Sequence, residues 1–166
     1  MGRRLLTIAS LPLLLAASAN ADSATDRQLA QSLFDSARAA MAQGDFAKAC
    51  PLLQESQKLD PGGGTLLNLA VCHENEGRLT TAMVEFNDAL SQAIKESRRD
   101  REKTAREHIV ALTPRLPKLV LISRTELPAD TTIELDGSPV TRLVLGVPMP
   151  LDPGKHSVRV SAPGRT

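Results

Sequence analysis

Residues 44–61, GDFAKACPLLQESQKLDP, predict the turn and second helix of a helical hairpin, and their pattern recurs further along the chain. The two members of each matched pair are 33 residues apart: Gly44 and Gly77, Ala49 and Ala82, Leu53 and Phe86, Ser56 and Ala89. A period of this length, with a turn glycine and small residues at fixed offsets, is typical of stacked helix pairs. Alanine lets two helix backbones approach closely, and the larger residue fills the space beside it. The sequence therefore predicts two copies of one helix-pair unit, and Pro61 ends the first copy.

This pattern resembles the tetratricopeptide (TPR) repeat, whose second half reads G-x-[YF]-x-x-A-x-x-x-[FYL]-x-x-[AS]-x-x-x-x-P. The first copy fits at Gly44, Phe46, Ala49, Leu53, Ser56 and Pro61; the second fits at Gly77, Leu79, Ala82, Phe86 and Ala89, without a closing proline. The period is one residue shorter than the usual 34. The resemblance implies a protein-binding stack whose concave face comes from the first helix of each pair. Two unrelated amphipathic hairpins of similar length are the alternative.

The resemblance directs four side chains toward that concave face, namely Arg38, Asn68, Val71 and Asn75. Asn68 stands where TPR domains that clamp a C-terminal carboxylate carry an asparagine. The lysine and arginine partners of such a clamp are missing, so this ligand is not predicted. The four residues are candidate partner-binding residues, and ordinary surface residues are the alternative.

Turn residues and apolar spacing delimit the helices. A polar lead after Asp22 precedes the first helix, which carries Leu29 on its apolar stripe. Pro51 falls inside the second helix, where it would kink the helix unless it lies just past the first turn. Thr65 is expected to cap the third helix, and Ile94 to lie on the apolar face of the fourth. A mixed-charge segment then closes the stack as a solvating cap with the stripe Ala105, Ile109, Leu112 and Leu116.

Pro114 and Pro117 end the helical part, and the apolar period then changes to two. This change predicts strands over 119–122, 132–135, 140–147 and 155–162, joined by turns at 136–137 and 152–154. The last strand alternates cleanly, with His156 on the same face as Val158 and Val160. The sequence thus predicts a small antiparallel β module after the helices.

The β module resembles the PEGA domain, a small β-sandwich of exported bacterial proteins. The match extends from Leu119 to Thr166, and its fitting residues are Asp136, Gly137, Pro153, Gly154, His156, Val158, Val160 and Gly164. In that family a further strand follows the last glycine. The resemblance therefore implies a module associated with the cell surface or wall, and it predicts that the sheet here is incomplete or has an open edge.

The N-terminal residues 1–21 are predicted to be a signal peptide. Arg3 and Arg4 give it a positive start, residues 5–17 are a short apolar core, and Ala19-Asn20-Ala21 is a small-x-small cleavage site. An uncleaved membrane anchor is the alternative, although a core of this length is too short to span a bilayer comfortably. We expect export to the periplasm or the cell surface.

Composition argues against several classes of partner. The formal net charge is +1, and the chain has no Trp, no Tyr and three Phe. It therefore lacks the electrostatic attraction to nucleic acid or anionic lipid and the stacking platform of a single-strand binder. No apolar run after the signal peptide is long enough to cross a membrane. We expect other envelope proteins or peptides as partners, no nucleic acid, and no membrane span in the mature chain.

The two cysteines, Cys50 and Cys72, are predicted to form a disulfide. If the second helix ends near Leu59 and the third begins near Gly64, residues whose numbers sum to about 123 lie opposite each other, and the numbers of the two cysteines sum to 122. An oxidising compartment would then favour the bond. Two buried free thiols that pack as small hydrophobic side chains are the alternative.

No catalytic or cofactor site can be assigned from the sequence. Glycines 62–64 precede a helix, but no lysine follows them and no strand precedes them, so a turn is favoured over a phosphate loop. Cys72, His73 and Glu76 are metal-ligand types, but no second cluster completes a zinc site. Ser, His and Asp form no recognisable nucleophile motif. We therefore predict no enzyme, no metal and no cofactor.

Together these features predict an α+β chain with three parts: a signal peptide over 1–21, TPR-like helical repeats over 22–116, and a PEGA-like, incomplete β module over 118–166. The function expected from the resemblances is that of a non-enzymatic envelope protein, a protein–protein interaction scaffold with a surface-associated β module. The alternatives are a metal-binding or accessory enzyme domain that uses Cys72, His73 and Glu76, and a sensor subunit of a larger envelope system.

Overall fold

The computed structural model describes residues 16–162, except for the side chains of residues 16–22. Five helices come first: α1 Ala16–Ala42, α2 Phe46–Leu59, α3 Gly63–Asn75, α4 Leu79–Lys95 and α5 Arg99–Leu112. Five short strands follow: β1 Lys118–Leu119, β2 Thr132–Leu135, β3 Ser138–Val140, β4 Met149–Pro150 and β5 Val158–Ser161. The predicted α+β class is confirmed. Residues 1–15, most of the predicted signal peptide, and Gly164 of the PEGA-like pattern lie outside the described residues.

The matched residues of the two sequence copies occupy equivalent buried positions on α2 and α4. The buried pairs are Ala49 and Ala82, Leu53 and Phe86, and Ser56 and Ala89. Each helix packs against the next one along the chain. The Ser56 hydroxyl also donates a hydrogen bond to the Ala30 carbonyl at 2.8 Å, which joins α2 to α1. The 33-residue period therefore repeats buried positions on the two helices.

The turns that end α1, α3 and α4 share one hydrogen-bond pattern. The N–H of Gly44 bonds to the carbonyl three residues back, and the N–H of Asp45 to the carbonyl five residues back, both at 3.0 Å. The same two bonds recur at Gly77 and at Ser97. Gly44, Gly77 and Ser97 have φ values of +74°, +80° and +57°, which is the Schellman geometry. Glycine adopts this conformation without steric cost, whereas Ser97 places a Cβ there.

The helical part has two hydrophobic clusters. The first surrounds the disulfide between α1, α2 and α3, and its buried members are Ala37, Ala40, Ala49, Cys50, Leu53, Leu69 and Cys72. The second lies between α3, α4 and α5, with Ala70, Ala82, Phe86, Ala105 and Leu112. The His108 ring stacks on Phe86 with 4.6 Å between ring centroids, and its Nδ1 donates to the Glu74 carboxylate at 2.6 Å. Glu74 also accepts from Arg115, so it holds the end of α5 against α3.

The predicted disulfide is present between Cys50 on α2 and Cys72 on α3. The S–S distance is 2.14 Å, and the two Cα atoms are 5.6 Å apart. Both residues are buried. The antiparallel alignment of α2 and α3 that the cysteine positions suggested is therefore correct.

Two helix starts differ from the sequence predictions. The polar lead after Asp22 belongs to α1, Ala16–Ala42. Thr65 lies in the first turn of α3 and does not cap it; the N-cap position is Gly62, which makes no side-chain cap bond. Pro51 is accommodated inside α2, which continues to Leu59. Pro51 lies just past the first turn of α2, the position at which the sequence leads us to expect a proline to be tolerated.

Two apolar side chains predicted to face the core are half exposed. Leu29 is 49% exposed, because its neighbour Ala30 is the residue that packs against α2. Ile94 is 51% exposed, because Ala93 is the buried residue at this level of α4. In both places the alanine occupies the buried position, and the larger side chain next to it is half exposed to solvent.

The β part contains two small antiparallel sheets. One pairs β1 with β4, and the other has the order β3-β2-β5. In the second sheet Ile133 lies opposite Val140 on one side and Val160 on the other. Asp136 and Gly137 form the β2–β3 turn with φ values of 50° and 77°, which fits a type I′ hairpin. The hairpin turn predicted at Asp136-Gly137 is therefore confirmed.

The predicted strand over 140–147 is wrong. β3 ends at Val140, and a one-turn 3-10 helix occupies Arg142–Val144. The Arg142 guanidinium donates to the carbonyls of Leu127 and Pro128 at 2.6 and 2.8 Å. These bonds join the segment after β3 to residues 127–128.

β5 is shorter than the strand predicted over 155–162, since it spans only Val158–Ser161. Val158 and Val160, which the alternation placed on one face, are each about half exposed. Within the described residues β5 is an edge strand. Among the same residues, no helix has both the length and the apolarity needed for a bilayer crossing.

Candidate functional site

Three of the predicted partner-binding residues share one face of α3. Asn68 donates from its amide nitrogen to the Gly64 carbonyl at 2.8 Å, and Asn75 does the same to Val71 at 2.8 Å. The Val71 side chain is half-buried and packs against the second hydrophobic cluster. The two amide nitrogens are therefore used within α3, and Val71 contributes to packing.

Arg38, the fourth predicted residue, lies on α1. Its guanidinium carbon is 5.9 Å from the centroid of the Phe34 ring, which is within the range of a cation–π contact. No hydrogen bond or ion pair among the described side chains joins it to the asparagines of α3. Whether these four residues bind a partner stays a prediction.

A groove of about 290 Å³ lies next to Phe34, between the two helix pairs. Its lining comes from α1, from α2 and the turn after it, from the first turn of α3, from the α4–α5 turn and from α5: Ala30, Gln31, Phe34, Ser56, Asp60, Gly62, Gly63, Gly64, Thr65, Glu96 and Arg101. Arg101 donates to the Glu96 carboxylate at 3.0 Å and so spans one end of the groove. None of the four predicted partner residues lines it. The sequence reading missed Arg101, because the charged segment of α5 was interpreted as a solvated surface.

The glycine run at the floor of this groove has a packing role. A Cβ on Gly63 would lie 3.2 Å from the Gln92 side chain, and one on Gly64 would lie 3.0 Å from the Arg101 guanidinium. The first turn of α3 therefore passes directly beneath side chains from α4 and α5. The sequence interpretation of these residues as a turn was only partly right, since Gly63 and Gly64 are already helical.

A group of potential metal ligands lies next to the disulfide. His73 is 1% exposed and directs its Nδ1 to the Glu85 carboxylate at 2.7 Å. Ligand atoms of Cys50, His73 and Glu76 lie within 4.8 Å of one another. The sequence had singled out Cys72, His73 and Glu76; the structure brings Cys50 into the group, and both sulfurs are bonded to each other. In this oxidised state the thiolate that a zinc ligand requires is not available.

A set of hydrogen bonds joins the β module to α4. Asp152 accepts hydrogen bonds from the backbone N–H groups of Thr80 and Thr81, at 2.6 and 3.2 Å, and from the Thr81 hydroxyl. The N-cap residue of α4, Arg78, makes no side-chain cap bond. Asp152 therefore caps α4 from a distant part of the chain, with its charge at the positive end of the helix dipole.

His156 holds the loop that carries Asp152. Its Nδ1 is 2.6 Å from the Asp136 carboxylate, and its Nε2 is 2.7 Å from the Asp152 carbonyl. Both partners are acceptors, so only the doubly protonated ring satisfies both contacts. The bond to Asp136, followed by the bond to the Asp152 carbonyl, raises the pKa of His156 above its usual value. Bonds from the Ser157 N–H and from His156 lower the pKa of Asp136.

Neither Asp152 nor His156 was identified as a functional residue from the sequence. His156 was an isolated histidine there, and Asp152 belonged to an ordinary turn. Each has a partner 20 or more residues away in the chain: Asp136 is 20 residues from His156, and Thr80 is 72 residues from Asp152. A scan against protein-family models, a search of curated proteins and a search of solved structures each found no match to this chain.

Proposed function

We propose that this chain is an exported, non-enzymatic envelope protein whose helical part binds a segment of another protein in the groove between the helix pairs. The observation that carries the proposal is the groove itself, because Phe34 of the first pair and Arg101 of α5 line the same cavity. Such a site depends on both helix pairs being stacked, which is how helical-repeat proteins build a binding surface.

The chemistry of the lining favours an extended peptide with one apolar side chain. The half-buried Phe34 ring offers an apolar contact, while Gln31 and Thr65 offer hydrogen-bonding groups to a peptide backbone. The volume of about 290 Å³ is at the lower end of the range for small-molecule pockets, and it fits a short stretch of side chains. The resemblance to TPR repeats supports a peptide or protein ligand.

The envelope assignment has separate support. The predicted signal peptide and the PEGA resemblance both belong to exported proteins, and a buried disulfide is stable in an oxidising compartment. The exposed edge strand β5 is compatible with a module that associates with a surface component.

Site-specific photocrosslinking tests the groove. A benzoylphenylalanine at Gln31, which is exposed at the groove, should give a discrete crosslinked envelope protein or peptide in cells that export the chain. The matched control is the same residue at Asp88, which is exposed on α4 and does not line the groove. Equal crosslinking from both positions, or none from Gln31, would contradict the groove as a binding site.

Mass spectrometry of the exported fraction tests the compartment independently. We expect a chain that lacks residues 1–21 and that has no reactive thiol after denaturation without reductant. A full-length chain retained in the cytoplasm with two titratable thiols would refute the envelope assignment and leave the groove test unaffected.

A further inference from the structure

The cluster around the disulfide contains four residues with metal-ligating atoms. Cys50 is on α2, and Cys72, His73 and Glu76 are on α3 or at its C-cap. The ligand atoms of Cys50, His73 and Glu76 are all within 4.8 Å of one another, and the Cys72 sulfur is bonded to that of Cys50. Four ligands from two adjacent helices are the number that a structural zinc ion takes.

The hydrogen bonds of His73 leave its ring in the form that binds a metal. Nδ1 must carry the proton, because its partner at 2.7 Å is the Glu85 carboxylate. The Nε2 atom is 3.3 Å from the Gln54 amide nitrogen, a donor, so Nε2 accepts with its lone pair. Gln54 is one helical turn after Cys50, so this lone pair points to the side of α2 that carries the cysteine. A carboxylate on one histidine nitrogen and a metal on the other is the usual arrangement in zinc sites.

We propose that reduction of the Cys50–Cys72 disulfide opens a zinc site formed by Cys50, Cys72, His73 and Glu76. A dithiol reductant transfers two electrons and two protons to the disulfide, giving two protein thiols and the oxidised cyclic disulfide of the reductant. Zn²⁺ then binds both sulfurs as thiolates, and their two protons leave to solvent. The disulfide and the metal compete for the same two sulfur atoms, so each excludes the other.

The surroundings of the site favour a thiophilic dication. Two thiolates and an imidazole suit zinc better than magnesium or calcium, which prefer oxygen ligands. The Glu76 side chain is 26% exposed and gives the ion a route from solvent, whereas the other three ligands are buried. Arg78 is 4.0 Å from Glu76, a long contact that the carboxylate can leave to turn toward the ion.

Cobalt titration of the mature chain tests the proposal. The protein is reduced with dithiothreitol, freed of reductant without oxygen, and titrated with Co²⁺ while the visible spectrum and proton release are recorded. We expect one Co²⁺ per chain, thiolate-to-cobalt charge transfer, tetrahedral d–d bands that Zn²⁺ abolishes, and two protons released per metal. The oxidised chain should show no charge-transfer band.

Three single variants separate the built site from two thiols that bind metal on their own. Glu76→Gln, which removes a ligand, and Glu85→Gln, which only positions His73, should each weaken Co²⁺ binding about tenfold or more. Glu107→Gln, an exposed carboxylate on α5, is the matched control and should leave the affinity unchanged.

Several outcomes would overturn the proposal. They are a reduced chain with native far-UV circular dichroism that binds no stoichiometric Co²⁺, a spectrum without thiolate charge transfer, and equal affinities for wild type, Glu76→Gln and Glu85→Gln. A reduced chain that loses its helical signal and does not recover it with Co²⁺ would also overturn it, because the folded cluster would then not be the metal site.

Discussion

Replacing Asp152 with alanine should loosen the junction between the β module and α4. The Asp152 carboxylate is the side chain that bonds the N–H groups of Thr80 and Thr81, and Arg78 at the N-cap offers no replacement. In the variant these N–H groups must donate to water or to another acceptor of the protein. The effect should therefore appear both in global stability and locally at the start of α4.

The expected magnitude follows from these contacts. Loss of a capping side chain costs about 0.5–2 kcal/mol, and loss of a negative charge at a helix N-terminus costs about 0.3–1 kcal/mol. Because one carboxylate supplies both effects in a partly exposed position, we expect Asp152→Ala to lower the free energy of unfolding by about 1–2 kcal/mol. Asp152→Asn keeps an acceptor and loses the charge, so it should cost about half as much.

Urea denaturation followed by circular dichroism measures the global effect, and amide hydrogen exchange measures the local one. The exchange of the Thr80 and Thr81 amides should accelerate in Asp152→Ala. Asp130→Ala is the control, because Asp130 is an exposed carboxylate of the same β module. If Asp152→Ala and Asp130→Ala have equal stability and equal exchange at both threonines, the capping argument is wrong.

Three further predictions use the same denaturation assay. Ser97→Gly should stabilise the chain by about 0.5–1 kcal/mol, because Ser97 has a left-handed φ of 57°; an unchanged or lower midpoint would refute this. Replacing both Cys50 and Cys72 with serine should cost about 3 kcal/mol, since their bond closes a loop with a separation of 22 residues; a loss below 1 kcal/mol would count against that entropy argument. The His156 ring contributes stability that is full below its usual pKa of 6.5 and is lost as pH rises through its raised pKa. Wild type should therefore lose stability more steeply than His156→Gln as the pH rises above about 6.5, and parallel profiles would show that the contact with Asp136 is inactive.

Much of the helical part can be predicted from the sequence, because its turns, buried positions and disulfide follow from residue types at fixed spacings along the chain. Gly44 and Gly77 predict the positions of their turns, because each has a left-handed φ, which glycine adopts without steric cost. The 33-residue spacing identifies three matched buried positions on α2 and α4, since a buried position accepts only side chains that fit the space there. The disulfide follows from counting residues along two antiparallel helices of equal rise.

The β module was less predictable, because its strands are short and its pattern is ambiguous. The alternation placed Val158 and Val160 on one face of β5, and both side chains are about half exposed. In place of the strand predicted after Val140 the chain forms a 3-10 helix, and its Arg142 donates hydrogen bonds to the backbone carbonyls of residues 127 and 128. A period of two reports which side chains share a face, but it does not report whether another layer covers that face.

The amino-acid sequence by itself determined the class, the matched buried positions of α2 and α4 and the pairing of the cysteines, because each depends on spacing along the chain. Tertiary structure alone decided that Arg101 closes the groove, that Asp152 caps α4 and that Glu85 orients His73. These contacts join residues on different elements, and an isolated carboxylate or guanidinium carries no local signal of its partner. The candidate sites lie where such elements meet, so their chemistry became visible only once the chain was folded.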